Sequence, residues 1–289
     1  MTDKPDAVVL VSQAFLRRFG VDCGTRLPEV VREIGLEIVY RDASSYDGAL
    51  LRIKGIPRGY IVINTRIREE SRRRFTIAHE SGHFILPNQQ DLSAPCAKKT
   101  IENWDEQLDH PELEANRFAA EVLMPRERVT PYLLTEPAMT SIESIASICQ
   151  TSLTASAYRL VSLTSFRAAM VWSEDGRVRW YKSSEEFVRW IRKGELSEAT
   201  FAADCFQHRS VPDHFEPVPA SSWLFSKGLR EDALIWEHSA SLPAYRAVLS
   251  LLVIRDSIEM GDNTQDAEED YELDPQEFTL HRKHWPSKR

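Results

Sequence analysis

His79 and His83 stand four residues apart in the stretch RFTIAHESGHFILP, residues 74 to 87, and Glu80 follows the first histidine. Residues four apart share one face of a helix, so both imidazoles can point at a single ion. Imidazole suits zinc, and catalytic zinc sites often combine two histidines with a carboxylate while leaving a position open for water. Glu80, offset by one residue, would lie beside such an ion rather than on it. From there a carboxylate can take a proton from water. Three fixed positions also recur by chance, so the stretch alone fits equally well a buried helix whose histidines bond to backbone groups.

The surroundings favour the metal. Phe75, Ala78, Gly82 and Ile85 form an apolar stripe of helical spacing, which embeds the helix in a core. Gly82 costs a helix about 1 kcal/mol relative to alanine, so another element is expected to pass close to it. A third ligand is expected from a second helix, PELEANRFAAEVLM, residues 111 to 124. Glu112 leads, with Asn116 one turn later, placed to hydrogen-bond a ligating histidine and fix its orientation. Glu114 and Glu121 are rivals: the first lies well around the helix from Asn116, the second deep among apolar positions. Glu112 could also simply stabilise a helix N-terminus.

These residues need a scaffold, and the pattern supplies one. Residues 7–19 and 27–34 read as helices, the second with Pro28 near its start. LEIVY after Gly35 reads as a strand, and GALLRI and GYIVIN (48–53 and 59–64) as two strands joined by a turn around Gly55. A helix is expected over 69–86, stopped by Pro87, then a polar loop with a short helix near Trp104. After the PELEAN helix, two more are expected at about 141–149 and 153–163. From Phe166 the texture changes. RAAMVWS and RVRWYKS flank Glu174-Asp175-Gly176, a hairpin signal; SEEFVRWIRK reads as a helix and AVLSLLVI as a buried strand. The expected fold class is α+β: a mainly helical, zincin-like unit with a small sheet over 7–165, then an α+β unit over 166–258. Residues 259–289, acidic and then basic, read as a flexible tail.

RFTIAHESGHFILP followed by ELEANRFAAEVLMP resembles the ImmA/IrrE family of zinc metallo-endopeptidases, and the upstream DGALL and GYIVIN fit that family's pattern. The resemblance covers about residues 7 to 165. It implies a cytoplasmic protease of bacteria or phage that cleaves a helix-turn-helix repressor, often encoded beside it, and so derepresses stress or mobile-element genes. Carried over by position, His79, His83 and Glu112 become zinc ligands and Glu80 the general base. Some relatives carry a GAF-like sensor domain after the protease, and residues 166–258 are compared with one. Tyr158, on the last helix of the first unit, is a candidate donor to the tetrahedral oxyanion. Its competing role is packing with a satisfied hydroxyl. Histidine and carboxylate ligands accept manganese as well as zinc. The other reading is a non-catalytic regulator that keeps the metal site and acts by binding a partner, although such a module has no need of Glu80.

Composition narrows the classes. A net charge of −8 argues against a mainly nucleic-acid-binding protein, and SIESIASICQTSLTASAYRL, which reads as helix-turn-helix, carries few basic residues. Direct DNA binding is not expected. No stretch reaches the apolar length of a membrane span, and the N-terminus lacks a secretory pattern, so a cytoplasmic protein is expected. Cys23, Cys96, Cys149 and Cys205 are scattered without a CxxC pair, which argues against structural disulfides. Arg66, Arg68, Arg72, Arg73 and Arg74 form a cluster that is either a docking patch for an acidic partner or a solvated helix start offset by Glu69 and Glu70. Cys205, His208 and His214 match no common zinc spacing. Trp172, Trp180, Trp190, Trp223 and Trp236 read as core.

Overall fold

The computed structural model describes residues 6–43, 46–53, 55–89, 95–97, 110–256 and 258. It is α+β, with eight α-helices and two sheets among the described residues. The first half begins with α1 (Ala7–Phe19), capped by the Asp6 carboxylate accepting from Val8 N at 2.9 Å and closed by Gly20 in the left-handed conformation. α2 (Leu27–Glu33) follows, with proline in its first turn. Strands β1 (Leu36–Arg41), β2 (Tyr46–Arg52), β3 (Gly59–Asn64) and β4 (Pro95–Ala97) form a sheet in the order β1-β3-β2-β4. β1 and β3 run parallel; β2 is antiparallel to both β3 and β4. The expected β2–β3 hairpin is present. β4 falls where the sequence suggests only a polar loop, because three residues carry no period of their own.

α3 (Glu70–Ile85) lies against β2 and β3 on one side and against α4 (His110–Leu123) on the other. The expected apolar stripe understates its burial: every residue from Arg74 to His83 is buried. A helix enclosed between a sheet and another helix has no solvent face to mark with polar residues. Gly82 lets α4 approach closely, since a Cβ there would meet Phe118 at 3.1 Å and the Ala115 Cα at 3.2 Å. α5 (Arg126–Leu133), α6 (Met139–Cys149) and α7 (Leu153–Leu163) complete this half. α5 is absent from the pattern reading because Pro131 reads as a breaker; buried Val129 anchors it to the core instead.

A six-stranded sheet follows, in the order β7-β6-β5-β10-β9-β8 and antiparallel throughout. Its strands are β5 (Ala168–Glu174), β6 (Arg177–Ser183), β7 (Gly194–Glu195), β8 (Glu216–Pro219), β9 (Leu234–Leu242) and β10 (Ala247–Val253), with α8 (Phe201–Phe206) as its one α-helix among the described residues. The β5–β6 turn has positive φ at both Asp175 and Gly176, as a tight hairpin demands. β10 is buried at every position, as AVLSLLVI suggested. The helix expected at SEEFVRWIRK does not form. Phe187 and Ile191 are both buried, which mimics helical spacing. Ser184 N instead extends the β5 pairing to Ala168 O, and Arg192 N bonds Trp223 O at 2.8 Å, so tertiary pairing overrides local propensity.

α6 and α7 pack through Ile142, Ile145, Ala157 and Leu160 into a cluster shared with Met170, Leu249 and Leu251 of the second sheet. That is a packing role for the helix-turn-helix-like segment. Of the tryptophans, Trp223 is core, whereas Trp190 is 53 % exposed and contradicts the core reading. The short helix expected near Trp104 and the tail at 259–289 lie outside the described residues. No helix among the described residues is long and apolar enough to cross a membrane.

Candidate metal centre

α3 brings His79 and His83 together one turn apart, their Nε2 atoms 3.0 Å from each other. α4 supplies Glu112, with one carboxylate oxygen 3.3 Å from His79 Nε2 and the other 3.4 Å from His83 Nε2. Among the described residues these three form the one group of histidine, cysteine and acidic side chains close enough to share an ion. The separations fit the ion itself. Ligands about 2.0–2.1 Å from a tetrahedral zinc stand roughly 3.3 Å apart.

The opposite edges of the imidazoles explain why both Nε2 lone pairs point inward. His83 Nδ1 meets Gln89 Oε1 at 2.5 Å. The orientation of that amide is fixed, because Gln89 Nε2 donates to Pro111 O at 3.1 Å and to Glu114 at 2.8 Å. An amide oxygen facing Nδ1 requires Nδ1 to carry the proton, leaving Nε2 as an acceptor. His79 Nδ1 likewise meets Asn116 Oδ1 at 2.9 Å. Two inward lone pairs and a carboxylate form an acceptor-only set, which a cation satisfies and a hydrogen-bond network does not. In the metal-free protein a proton on an inward nitrogen stands in for the cation: burial opposes ionisation of Glu112, yet bonding to the histidines outweighs it and holds the carboxyl well below its ordinary range. Burial likewise opposes charge on His83, and Glu112 and Glu80 outweigh it, so its pKa is raised.

Glu80 is fully buried and faces the sheet rather than α4. It packs where β2 carries Gly48: a Cβ there would come within 2.7 Å of Glu80 Oε1 and 2.3 Å of the Thr76 methyl. Gly48 therefore makes the space that Glu80 occupies.

The rival acids have other work. Glu114 holds Gln89, while Glu121 forms a buried ion pair with Arg159 and accepts from Arg126 N at 3.1 Å. Tyr158 lies on α7 in the cluster that joins the second sheet, with Lys182 Nζ 5.5 Å from its ring centroid. Gln89 escaped the sequence reading altogether, since a glutamine three residues beyond a helix end carries no periodic signal. The arginine cluster is largely engaged: Arg66 with Asp42, Arg72 with Asp47, Arg73 with Glu70, and Arg74 buried against backbone carbonyls. Cys205, His208 and His214 do not form a group close enough to share an ion among the described residues; Cys205 is buried on α8 and His214 is bracketed by Asp213 and Glu216.

Residues 31–161 match the Peptidase_M78 family model, the IrrE N-terminal-like domain. That stretch carries an IrrE N-terminal-like domain, consistent with an ImmA/IrrE family metallopeptidase. It runs from within α2 to within α7 and holds every residue of the centre just described, Gln89 included. The second sheet lies beyond the IrrE-like domain. No curated protein matches the chain.

Proposed function

We propose that the chain is a zinc-dependent endopeptidase acting on a cytoplasmic regulatory protein, a helix-turn-helix repressor encoded nearby, whose cleavage derepresses stress or mobile-element genes. The observation that carries the reading is the acceptor-only convergence of His79, His83 and Glu112 with a buried carboxylate, Glu80, on the same helix. His79, His83 and Glu112 would hold the metal, which supplies Lewis acidity toward water and a peptide carbonyl when bound. Asn116 and Gln89 keep the ligating tautomers. Glu80 takes the proton of the attacking water on a carboxylate oxygen and returns it to the leaving amine nitrogen. Tyr158 is the candidate oxyanion donor. Tyr158→Phe keeps the ring beside Lys182 and removes only the hydroxyl, so its expected signature is a lower kcat with KM retained.

We keep the division at residue 165, with 166–258 as a GAF-like sensory unit built on the second sheet. The test is co-expression with the neighbouring repressor. Repressor fragments are expected with the wild type and not with Glu80→Gln, which should still copurify with metal. Cleavage by Glu80→Gln at the wild-type rate would remove Glu80 as the base. A metal-loaded wild type that never cuts the repressor would favour a regulator acting by binding alone.

A further inference from the structure

Cys23 and Cys149, separated by 126 positions in the chain, have their sulfurs 2.8 Å apart in the core of the first half. Both are free thiols and both are buried. A disulfide needs an S–S separation of about 2.05 Å, so less than about 1 Å of movement closes the bond. The backbone beside both cysteines is left-handed. Cys23 takes a left-handed φ of 48° before Gly24 at 65°, and Gln150 follows Cys149 at 52°. Arg74 of α3 reaches between the two segments, donating to Cys23 O, to Cys149 O at 2.9 Å and to Gln150 O at 2.7 Å. The metal-centre chemistry uses none of these groups.

We propose that Cys23 and Cys149 form a reversible dithiol–disulfide site, oxidised by hydrogen peroxide and restored by a dithiol reductant. Either sulfur can attack, because either can donate the hydrogen bond that joins them. That bond favours the thiolate of the sulfur that accepts it, and Arg74 adds positive charge beside both. The thiolate attacks a peroxide oxygen, forming an S–O bond and breaking the O–O bond with loss of hydroxide. The second thiol then attacks the sulfenic sulfur, forming the S–S bond and breaking S–O; its proton leaves with that oxygen as water. Two thiols and one peroxide thus give a disulfide and two waters.

Both cysteines are buried, so a small oxidant reaches the pair through local opening. A cavity of about 640 Å³ between this half and the second sheet is lined by Met124, which packs in the same cluster as both cysteines, and by Thr151, two residues beyond Cys149. The bond would fasten the α1–α2 loop to the end of α6, around the arginine that α3 sends between them. Such a reversible pair suits a reducing compartment, where disulfides are transient.

The test uses the full-length chain, reduced, desalted and exposed to hydrogen peroxide. Remaining thiols are alkylated under denaturing conditions and the peptides mapped. A peptide linking Cys23 to Cys149 is expected, forming about tenfold or more faster than Cys205, buried to a similar degree but not paired with another cysteine among the described residues, is oxidised, and reversed by dithiothreitol. Recovery of Cys23 and Cys149 as separately alkylated peptides, at peroxide levels that oxidise free glutathione, overturns the proposal. With the partner sulfur removed, a dimedone-trapped sulfenic acid is expected at the remaining cysteine of Cys23→Ser or of Cys149→Ser. No adduct in either variant overturns the peroxide route. Amide exchange over residues 20–26 should slow in the oxidised wild type, and unchanged exchange refutes the fastening role.

Discussion

Gly48→Ala is the sharpest perturbation of the candidate centre that leaves every proposed ligand intact. The added Cβ would lie 2.3 Å from Thr76 Cγ2 and 2.7 Å from Glu80 Oε1, whereas ordinary contact begins near 3.4 Å. The shortfall against Thr76 is about 1.1 Å, and neither partner can absorb it easily. Thr76 is fully buried, β-branched, and tied through Oγ1 to Arg72 O at 2.9 Å. β2 is held on both edges by β3 and β4. The strand and α3 must therefore separate, at a cost of about 1–3 kcal/mol typical of overpacking. If Glu80 is the base proposed above, a displacement near 1 Å costs on the order of 100-fold in rate. Urea unfolding of the metal-loaded protein reads the first quantity and repressor cleavage the second, with metal content expected to stay near wild type. Thr76→Ser removes the clashing methyl and keeps the hydroxyl bond. The double variant should therefore recover stability while the 2.7 Å conflict with Glu80 keeps cleavage low. Wild-type stability and cleavage in Gly48→Ala would refute the packing of β2 on Glu80.

Asn116→Ala and Gln89→Ala each release one imidazole, and metal affinity should fall about 10–100-fold in a competition titration against a chelating dye. An unchanged affinity would show that the outer bonds do not set the tautomers. Glu121→Ala leaves Arg159 as an uncompensated charge in a largely buried pair and should cost about 3–5 kcal/mol in denaturant unfolding. A cost within that of a surface substitution would contradict the buried pair. In metal-free protein, charged His83 stabilises the fold below its unfolded value of 6.5, and this contribution is lost as pH rises through the higher folded value. Ionised Glu112 contributes above 4.5 and loses its contribution as pH falls through its lowered value. Metal competes with the His83 proton, so affinity should rise with pH across the first of these windows; a flat profile there would refute the competition.

Much of the centre was legible before any coordinate. His79, Glu80 and His83 are fixed by helical spacing alone, and Glu112 with Asn116 by the turn between them, because i to i+4 geometry is local. The close approach at Gly82 followed from the cost of glycine in a helix. What spacing could not express was which side chains meet across long separations. Gln89 on His83, Gly48 under Glu80, and the Cys23–Cys149 contact each join segments whose proximity exists only once α3 is packed between the sheet and α4. The failed helix at 184–193 shows the converse. There Phe187 and Ile191 imitate a helical period while backbone pairing to Ala168 and Trp223 decides the conformation. The sequence by itself therefore determined which residues could ligate and on which helices they stand. Only the tertiary structure decided which nitrogen of each histidine faces inward, because that choice rests on partners brought in from loops and neighbouring elements.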